Sequence, residues 1–225
     1  MELKHEAASA GLTLPAVGAA TLKALAQQDE VALRPGSLAG PDSRLEGILR
    51  ELLTELGVDV REQHFRETPR RVARLYRELT RGYHANPAEI LKTFTSPHRE
   101  LVVVSGMSFQ SLCPHHMLIY RGRMHLGYVP DGKIVGLSKI PRLIRALSAR
   151  LIVQEELVAE IADAFMEHVG PLGCVVQASG THDCVAVRGV RSAETSMTTV
   201  VPRGVFQDQP QLMEEFHRSI ARGRS

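Results

Sequence analysis

No charge of one sign dominates this chain: 27 basic residues stand against 25 acidic ones, leaving a formal net charge of +2. That balance excludes a chain-wide polycation built to grip nucleic acid or an anionic membrane, so any phosphate binding must be local. No apolar run approaches the roughly 20 residues needed to cross a bilayer. The opening "MELKHEAASAGLTLPAV" also lacks a compact apolar export segment, and the expectation is a cytoplasmic protein with neither membrane nor nucleic-acid partner. Cysteine is scarce, with only Cys113, Cys174 and Cys184, an odd set with no disulfide-framework rhythm. In a reducing compartment such thiols are core residues, metal ligands or nucleophiles. No internal repeat or low-complexity tract is visible.

At 225 residues the chain can bury a substantial core, and one main domain with a helical extension is expected. Residues 1–42 read as a weakly helical extension and linker, with no catalytic role. Residues 43–97 read as a helical region and 98–225 as the main domain. In the helical region "SRLEGILRELLTELG" spaces Leu45, Ile48, Leu49, Leu52, Leu53 and Leu56 at helical intervals, with Asp42 or Ser43 as cap and Gly57 as stop. "TPRRVARLYRELTRGY" predicts a second helix, with Thr68 as N-cap, Pro69 in the first turn, and Val72, Leu75, Tyr76 and Leu79 as its apolar face. Arg70, Arg71, Arg74, Arg77 and Arg81 crowd the rest, either as a solvated face or as phosphate contacts.

From Leu101 the character changes. "LVVVSGMSFQSL" and "MLIYRGRMHLGYVP" are rich in β-branched and aromatic residues and predict a hairpin, with "PDG" as a tight turn. "KIVGLSKIPRLIRALSARLIVQEELVAEIADAFMEHVG" reads as helix with a break near Leu151, Pro141 in a first turn, and Leu157, Ile161, Ala164 and Phe165 on one face. "GCVVQASGTHDCVAVRGV" reads as two strand segments joined by "ASGTHD", "SMTTVVPRGVF" as another strand, and "QLMEEFHRSIA" as a terminal helix. The order fits an α+β fold, an antiparallel sheet backed by helices.

"SLCPHHM" sets Cys113 three positions before His116, a spacing suited to one shared zinc ion. Two ligands do not close a site. "THDC" is the natural donor of a third, because Cys184 stands in a polar segment beside His182, whereas Cys174 sits in an apolar strand context that suits a buried inert thiol. The resulting set is Cys113, His116 and Cys184 with a position left for water. His115 and His182 each neighbour a ligand and are candidate proton carriers, since imidazole titrates near neutral pH. A purely structural zinc pinning two hairpins, and a Cys-His thiol nucleophile, remain open on spacing alone. The close second ligand pair of a zinc finger is absent, as is the His-x-Glu…Pro-Cys-x-x-Cys pattern of base deaminases.

Six stretches in order, "ETPRRVARLY", "SFQSLCPHH", "GKIVGLSKIPRLI", "VQEELVAEIADA", "HDCVAVRGVR" and "TTVVPRGVF", make residues 43–219 resemble the GTP cyclohydrolase I family, with its tunnelling fold. The resemblance implies a zinc enzyme that opens the imidazole ring of GTP by hydrolysis, releases C8 as formate and rearranges the ribose to 7,8-dihydroneopterin triphosphate, at the start of folate and pterin biosynthesis. It implies Cys113, His116 and Cys184 as metal ligands and His115 and His182 as acid-base residues. Ser138, Lys139, Arg142 and Arg188 match phosphate-side positions, joined from the second helix by Arg71 and Arg74. Ser138 and Lys139 also precede a helix start, where anions are favoured.

Glu155, with Gln154 beside it, matches the residue that accepts from the N1–H and 2-amino edge of guanine; without the family match it reads as an exposed helical carboxylate. The family further implies a homodecamer of two stacked pentamers, with active sites between subunits. Three features depart from the commonest family pattern: Pro114 for a usual glutamate, "MLIY" where "LLPF" is frequent, and Asp183 for a usual apolar residue. A guanine-nucleotide-binding regulatory or scaffold protein with structural zinc, and a paralogue acting on a related purine triphosphate, are the competing expectations.

Overall fold

The computed structural model of the chain describes residues 44–223; the expected extension over 1–42 and the caps Asp42 and Ser43 lie outside them. Helices α1 (Arg44–Glu55) and α2 (Thr68–Leu79) pack on each other. A 3-10 turn (Arg81–His84), the short helix α3 (Pro87–Ile90) and strand β1 (Thr93–Thr95) lead into β2 (Val102–Leu112), β3 (Ile119–Val129) and β4 (Lys133–Val135). Then come α4 (Lys139–Ser148), α5 (Gln154–Val169), β5 (Gly173–His182), α6 (Asp183–Ala186), β6 (Ser196–Gly204), α7 (Val205–Asp208) and α8 (Pro210–Arg222). This is the expected α+β class, with an antiparallel four-stranded sheet in the order β2-β3-β5-β6 and a separate ribbon of β1 and β4.

Strand alternation decides which helix covers which face. On β3, Tyr128 meets Phe165 of α5 edge-on, with ring centroids 5.1 Å apart. A Cβ on the neighbouring Gly127 would strike Phe216 of α8, so α5 and α8 lie on opposite faces. The α5 face holds the main core: Met124, Leu126, Leu157, Ile161, Phe165 and Val176 are all fully buried. Removing such side chains from water contributes on the order of 1.5–3 kcal/mol each. The α8 side gathers Val129, Val175, Phe206, Phe216 and Ile220 around one end of the sheet only. At the other end that face is polar, presenting Arg121, Arg123, Ser179, Thr181, Ser196 and Thr198.

Several expectations are corrected. Lys133–Val135 is a strand, because its backbone pairs with Thr93–Thr95, which also puts a strand inside the stretch expected to be helical. "GCVVQASGTH" is one continuous strand, since Gly180 lets β5 run on beside β3 through a glycine-on-glycine contact. A Cβ on Gly122 opposite would lie 1.9 Å from the Ser179 carbonyl oxygen, so no larger residue fits there. Met117 belongs to a turn, with β3 starting at Ile119. Thr68 is the first residue of α2 instead of its cap, which is Glu67 without a side-chain cap bond. The break near Leu151 is present, and α5 ends at Gly170 in the left-handed conformation (φ 68°) that glycine adopts without strain.

On α1 and α2, Leu49 and Ala73 are buried, while Ile48, Leu52 and Leu75 are exposed, as is Leu56 just past α1. The apolar face of the helical pair is therefore only partly covered by the described residues. Both β2 and β6 are sheet edges.

Candidate metal centre and its surroundings

The turn between β2 and β3 is closed by its own backbone. The Met117 amide donates to the Cys113 carbonyl (2.8 Å), and the Cys113 amide donates to the Leu118 carbonyl (2.9 Å). Met117 takes φ 54°, a left-handed conformation costly for a side chain with a Cβ, and thereby reverses the chain within "CPHHM". This tight turn brings Cys113 Sγ within 3.8 Å of His115 Nδ1 and 3.9 Å of His116 Nδ1. On the far side of the site, β5 ends at His182 and turns at once into α6, which carries Cys184.

Ligand atoms of Cys113, His116 and Cys184 lie within 4.8 Å of one another, and no other group of three or more such residues converges among the described residues. A tetrahedral zinc with donors at ~2.0–2.3 Å places them about 3.3–3.8 Å apart, so a contraction of roughly an ångström seats the ion. Two thiols and one imidazole form a donor set that suits a soft or borderline metal. Burial, and then the neighbouring Cys113 thiol, push the Cys184 thiol up from its ordinary value, which is the electrostatic situation a cation relieves.

The Arg188 guanidinium donates to His116 Nε2, so this phosphate-side candidate stands at the metal group. His182 is half-buried and stacks flat on Tyr120, with centroids 4.7 Å apart and planes 2° from parallel. Desolvation lowers the His182 pKa, opposed by the Glu155 carboxylate and a backbone bond at Gly180. Glu155 is exposed in the first turn of α5, where a carboxylate also favours the helix dipole. Gln154 is buried: its Nε2 faces the Ala178 and Met197 carbonyls and Thr199 Oγ1, and its Oε1 has no partner among the described residues.

The remaining candidates are elsewhere. Ser138 and Lys139 open α4, with Arg142 one turn on, and Ser138 makes no side-chain cap bond. They adjoin an apolar cavity of about 370 Å³ lined by Val102, Val104, Tyr128, Ile134, Leu137 and Ile140. That cavity lies at the Tyr128 end of β3, whereas His182 pairs with Tyr120 at the other end. At ~3.3 Å per residue, Tyr120 and Tyr128 are about 26 Å apart along the strand. One chain thus does not bring the α4 residues to the metal group. Arg71 and Arg74 are exposed on α2.

Cys174 is fully buried, points its thiol at the Ala162 carbonyl (3.6 Å), and burial pushes its pKa to about 12. Asp183, unexplained by sequence, opens α6 and pairs with Arg121 of β3 at 3.7 Å. Sequence reasoning assigned nothing to Tyr120, although "MLIY" stood out as a departure. Nor did it foresee the contact between Arg188 and His116.

Fold and site together define an α+β protein of the tunnelling-fold class with a Cys-His-Cys group able to hold a metal. The family model for GTP cyclohydrolase I matches residues 45–221, and the chain belongs to that family. It is 42% identical over 178 residues to a GTP cyclohydrolase 1 of Chlorobium chlorochromatii, covering 78% of this chain and 80% of that one. It is 39% identical over 179 residues to the Campylobacter lari protein of the same name (79% and 94% covered), and 42% identical over 167 residues to that of Mycobacterium marinum (73% and 83%). Among solved structures, an archaeosine synthase of the QueF-like type in its apo form overlaps 48% of this chain and 96% of its own, with TM-score 0.40 and 18% identity. No helix among the described residues is long and apolar enough to cross a membrane.

Proposed function

We propose that this protein is a zinc-dependent GTP cyclohydrolase I, hydrolysing GTP to formate and 7,8-dihydroneopterin triphosphate in the cytoplasm for folate and pterin biosynthesis. The observation that carries the reading is the convergence of Cys113, His116 and Cys184 beside two further histidines, in a chain of this family. Cys113, His116 and Cys184 would hold zinc, which when bound supplies the Lewis acidity that makes water nucleophilic near neutral pH. His182, its pKa lowered by burial, is neutral at that pH and suited to accept a proton during attack at C8. His115, exposed with its Nδ1 3.8 Å from Cys113 Sγ, is suited to deliver one as the ring opens.

Glu155, with Gln154 behind it, would hold the guanine edge. Ser138, Lys139, Arg142, Arg188, Arg71 and Arg74 would hold the triphosphate, because charge-assisted hydrogen bonds suit a polyanion. The α4 set and the metal group occupy opposite ends of one sheet. A complete site therefore needs a second chain. Two sheet edges unpaired and a helical pair partly covered among the described residues support the decamer of stacked pentamers as the assembly, with residues 43–97 as its helical region and 98–225 as the catalytic domain.

Zinc-loaded protein incubated with GTP is expected to release one formate per dihydropterin formed, read by formate assay and by fluorescence of the oxidised pterin. In His182→Ala, zinc content holds while turnover falls by about 10²–10⁴-fold. Absence of formate from zinc-loaded, oligomeric protein refutes the assignment. Unchanged turnover in the variant removes His182 from the chemistry.

A further inference from the structure

Among the groups around the metal centre, one fully buried side chain touches a candidate proton carrier yet has no assigned role. Tyr120 is 1% exposed and stands directly opposite His182 in the β3–β5 register. Their rings are parallel to within 2° at 4.7 Å. Aromatic pairs settle either offset-stacked or edge-on; His182 stacks on one side of Tyr120, whereas Phe109 meets the same ring edge-on, at 71° and 6.1 Å.

The tyrosine ring is itself held from behind. Its hydroxyl donates to the Ile152 carbonyl (2.9 Å). The Ile152 amide in turn donates to the Leu112 carbonyl (3.1 Å), and the Arg150 carbonyl accepts from the Leu112 amide (3.3 Å). Ser111 Oγ donates to that same Arg150 carbonyl at 2.9 Å. The 150–152 segment is thereby zipped to the end of β2 immediately before Cys113, and it leads immediately into Gln154 and Glu155. Tyr120 stands where this brace, the metal turn and the end of β5 meet.

Imidazole χ2 has a broad, shallow preference, so a histidine at a strand end does not choose its ring plane unaided. We propose that Tyr120 is the positioning residue for His182, its buried ring serving as the flat surface that sets the plane of the imidazole toward the reacting purine. The inference rests on the role proposed for His182. Misplacing a reacting group by an ångström can cost about 10²-fold in rate.

The test replaces the ring while keeping its volume or its plane. Tyr120→Phe keeps the plane and loses the hydroxyl. Tyr120→Met fills similar space without a plane, and Tyr120→Leu leaves a gap. With GTP as substrate, Tyr120→Phe is expected to keep kcat within about 3-fold of the unmodified protein, while Tyr120→Met and Tyr120→Leu lose about 10- to 100-fold in kcat. KM for GTP and zinc per chain should stay unchanged in all three. If Tyr120→Leu fails to fold by circular dichroism, Tyr120→Met carries the comparison.

A Tyr120→Met kcat within 2-fold of the unmodified protein overturns the proposal. So does a kcat loss accompanied by loss of zinc, which would make the residue a support of the metal turn. A Tyr120→Phe loss as deep as that of Tyr120→Met also overturns it, by assigning the effect to the hydroxyl. If the unmodified protein is inert to GTP, the function reading itself fails; variants matching an active parent remove only the role of Tyr120.

Discussion

The two ends of the central sheet carry opposite kinds of surface. At the Tyr120–His182 end the strands run out into polar turns, and Cys113, His116 and Cys184 converge. At the Tyr128–Cys174 end they are sealed between Phe165 and Phe216, beside an apolar cavity and the start of α4. β5 has a cysteine at each end of the comparison. Cys174, near its start, is fully buried with its pKa at about 12, while Cys184, just past its end, is half-buried beside a second thiol. The same side chain is packing at one end and, at the other, part of a Cys-His-Cys group that could hold a metal; the difference is the environment alone. If the proposed function holds, the two ends of one chain would belong to two different sites.

The strongest way to break this contrast is at the metal end. Cys184→Ser is expected to lose bound zinc and at least about 10³-fold of turnover with the fold retained, measured by metal analysis and formate release. Full activity without zinc would dissolve the distinction between the two ends. Next in size comes a mixing experiment. Lys139→Glu, at the α4 end, should lose about 10²-fold by reversing the proposed phosphate contact. Refolded together in equal amounts, it and Cys184→Ser are expected to regain roughly a quarter of parental activity, because random assembly pairs one intact half from each chain at that frequency. No recovery would mean that each site is built from one chain.

Cys174 sharpens the contrast more gently. With its pKa near 12 it carries almost no thiolate at neutral pH, so iodoacetamide should label Cys184 in zinc-free native protein and leave Cys174 untouched until unfolding. The sign for stability follows. The folded thiol holds its proton above the pH at which the unfolded one releases it, so this group costs stability as pH rises from about 9 toward 12 and none at neutral pH. A Cys174→Ala variant should flatten that alkaline loss. Smallest of all is the pair of Asp183 and Arg121, in which Arg121 is exposed and Asp183 half-buried. Arg121→Ala should shift stability by less than about 1 kcal/mol, read by urea unfolding.

Much of the fold was legible because it follows local periodicity. The strands β2 and β3, the helix α5 with Leu157, Ile161 and Phe165 inward, and the terminal helix α8 announce themselves in apolar spacing. Cys113 and His116 were legible as neighbours because one turn holds both. Elsewhere the local signal misled. "KIV" reads like the start of the following helix and becomes a strand only because Thr93–Thr95 offers a partner. "ASGTH" reads as a loop, since glycine and serine are turn residues, yet it continues β5 because Gly122 allows close approach from β3. Ile48 and Leu52 of α1, expected on a buried face, lie exposed among the described residues, since periodicity states that a face is apolar without stating what covers it.

Taken alone, the sequence determined the class of the fold, the family and a short list of chemically able residues, because composition, periodicity and motif order are local properties of the chain. Tertiary structure decided which of those residues meet. It set Cys184 beside Cys113 and Cys174 in the core, brought Arg188 to His116, laid His182 flat on Tyr120, and kept Ser138, Lys139 and Arg142 at the far end of the sheet. The physical reason is that strand register couples residues distant in sequence through backbone hydrogen bonds, and a strand's length then fixes how far apart its two ends must stay.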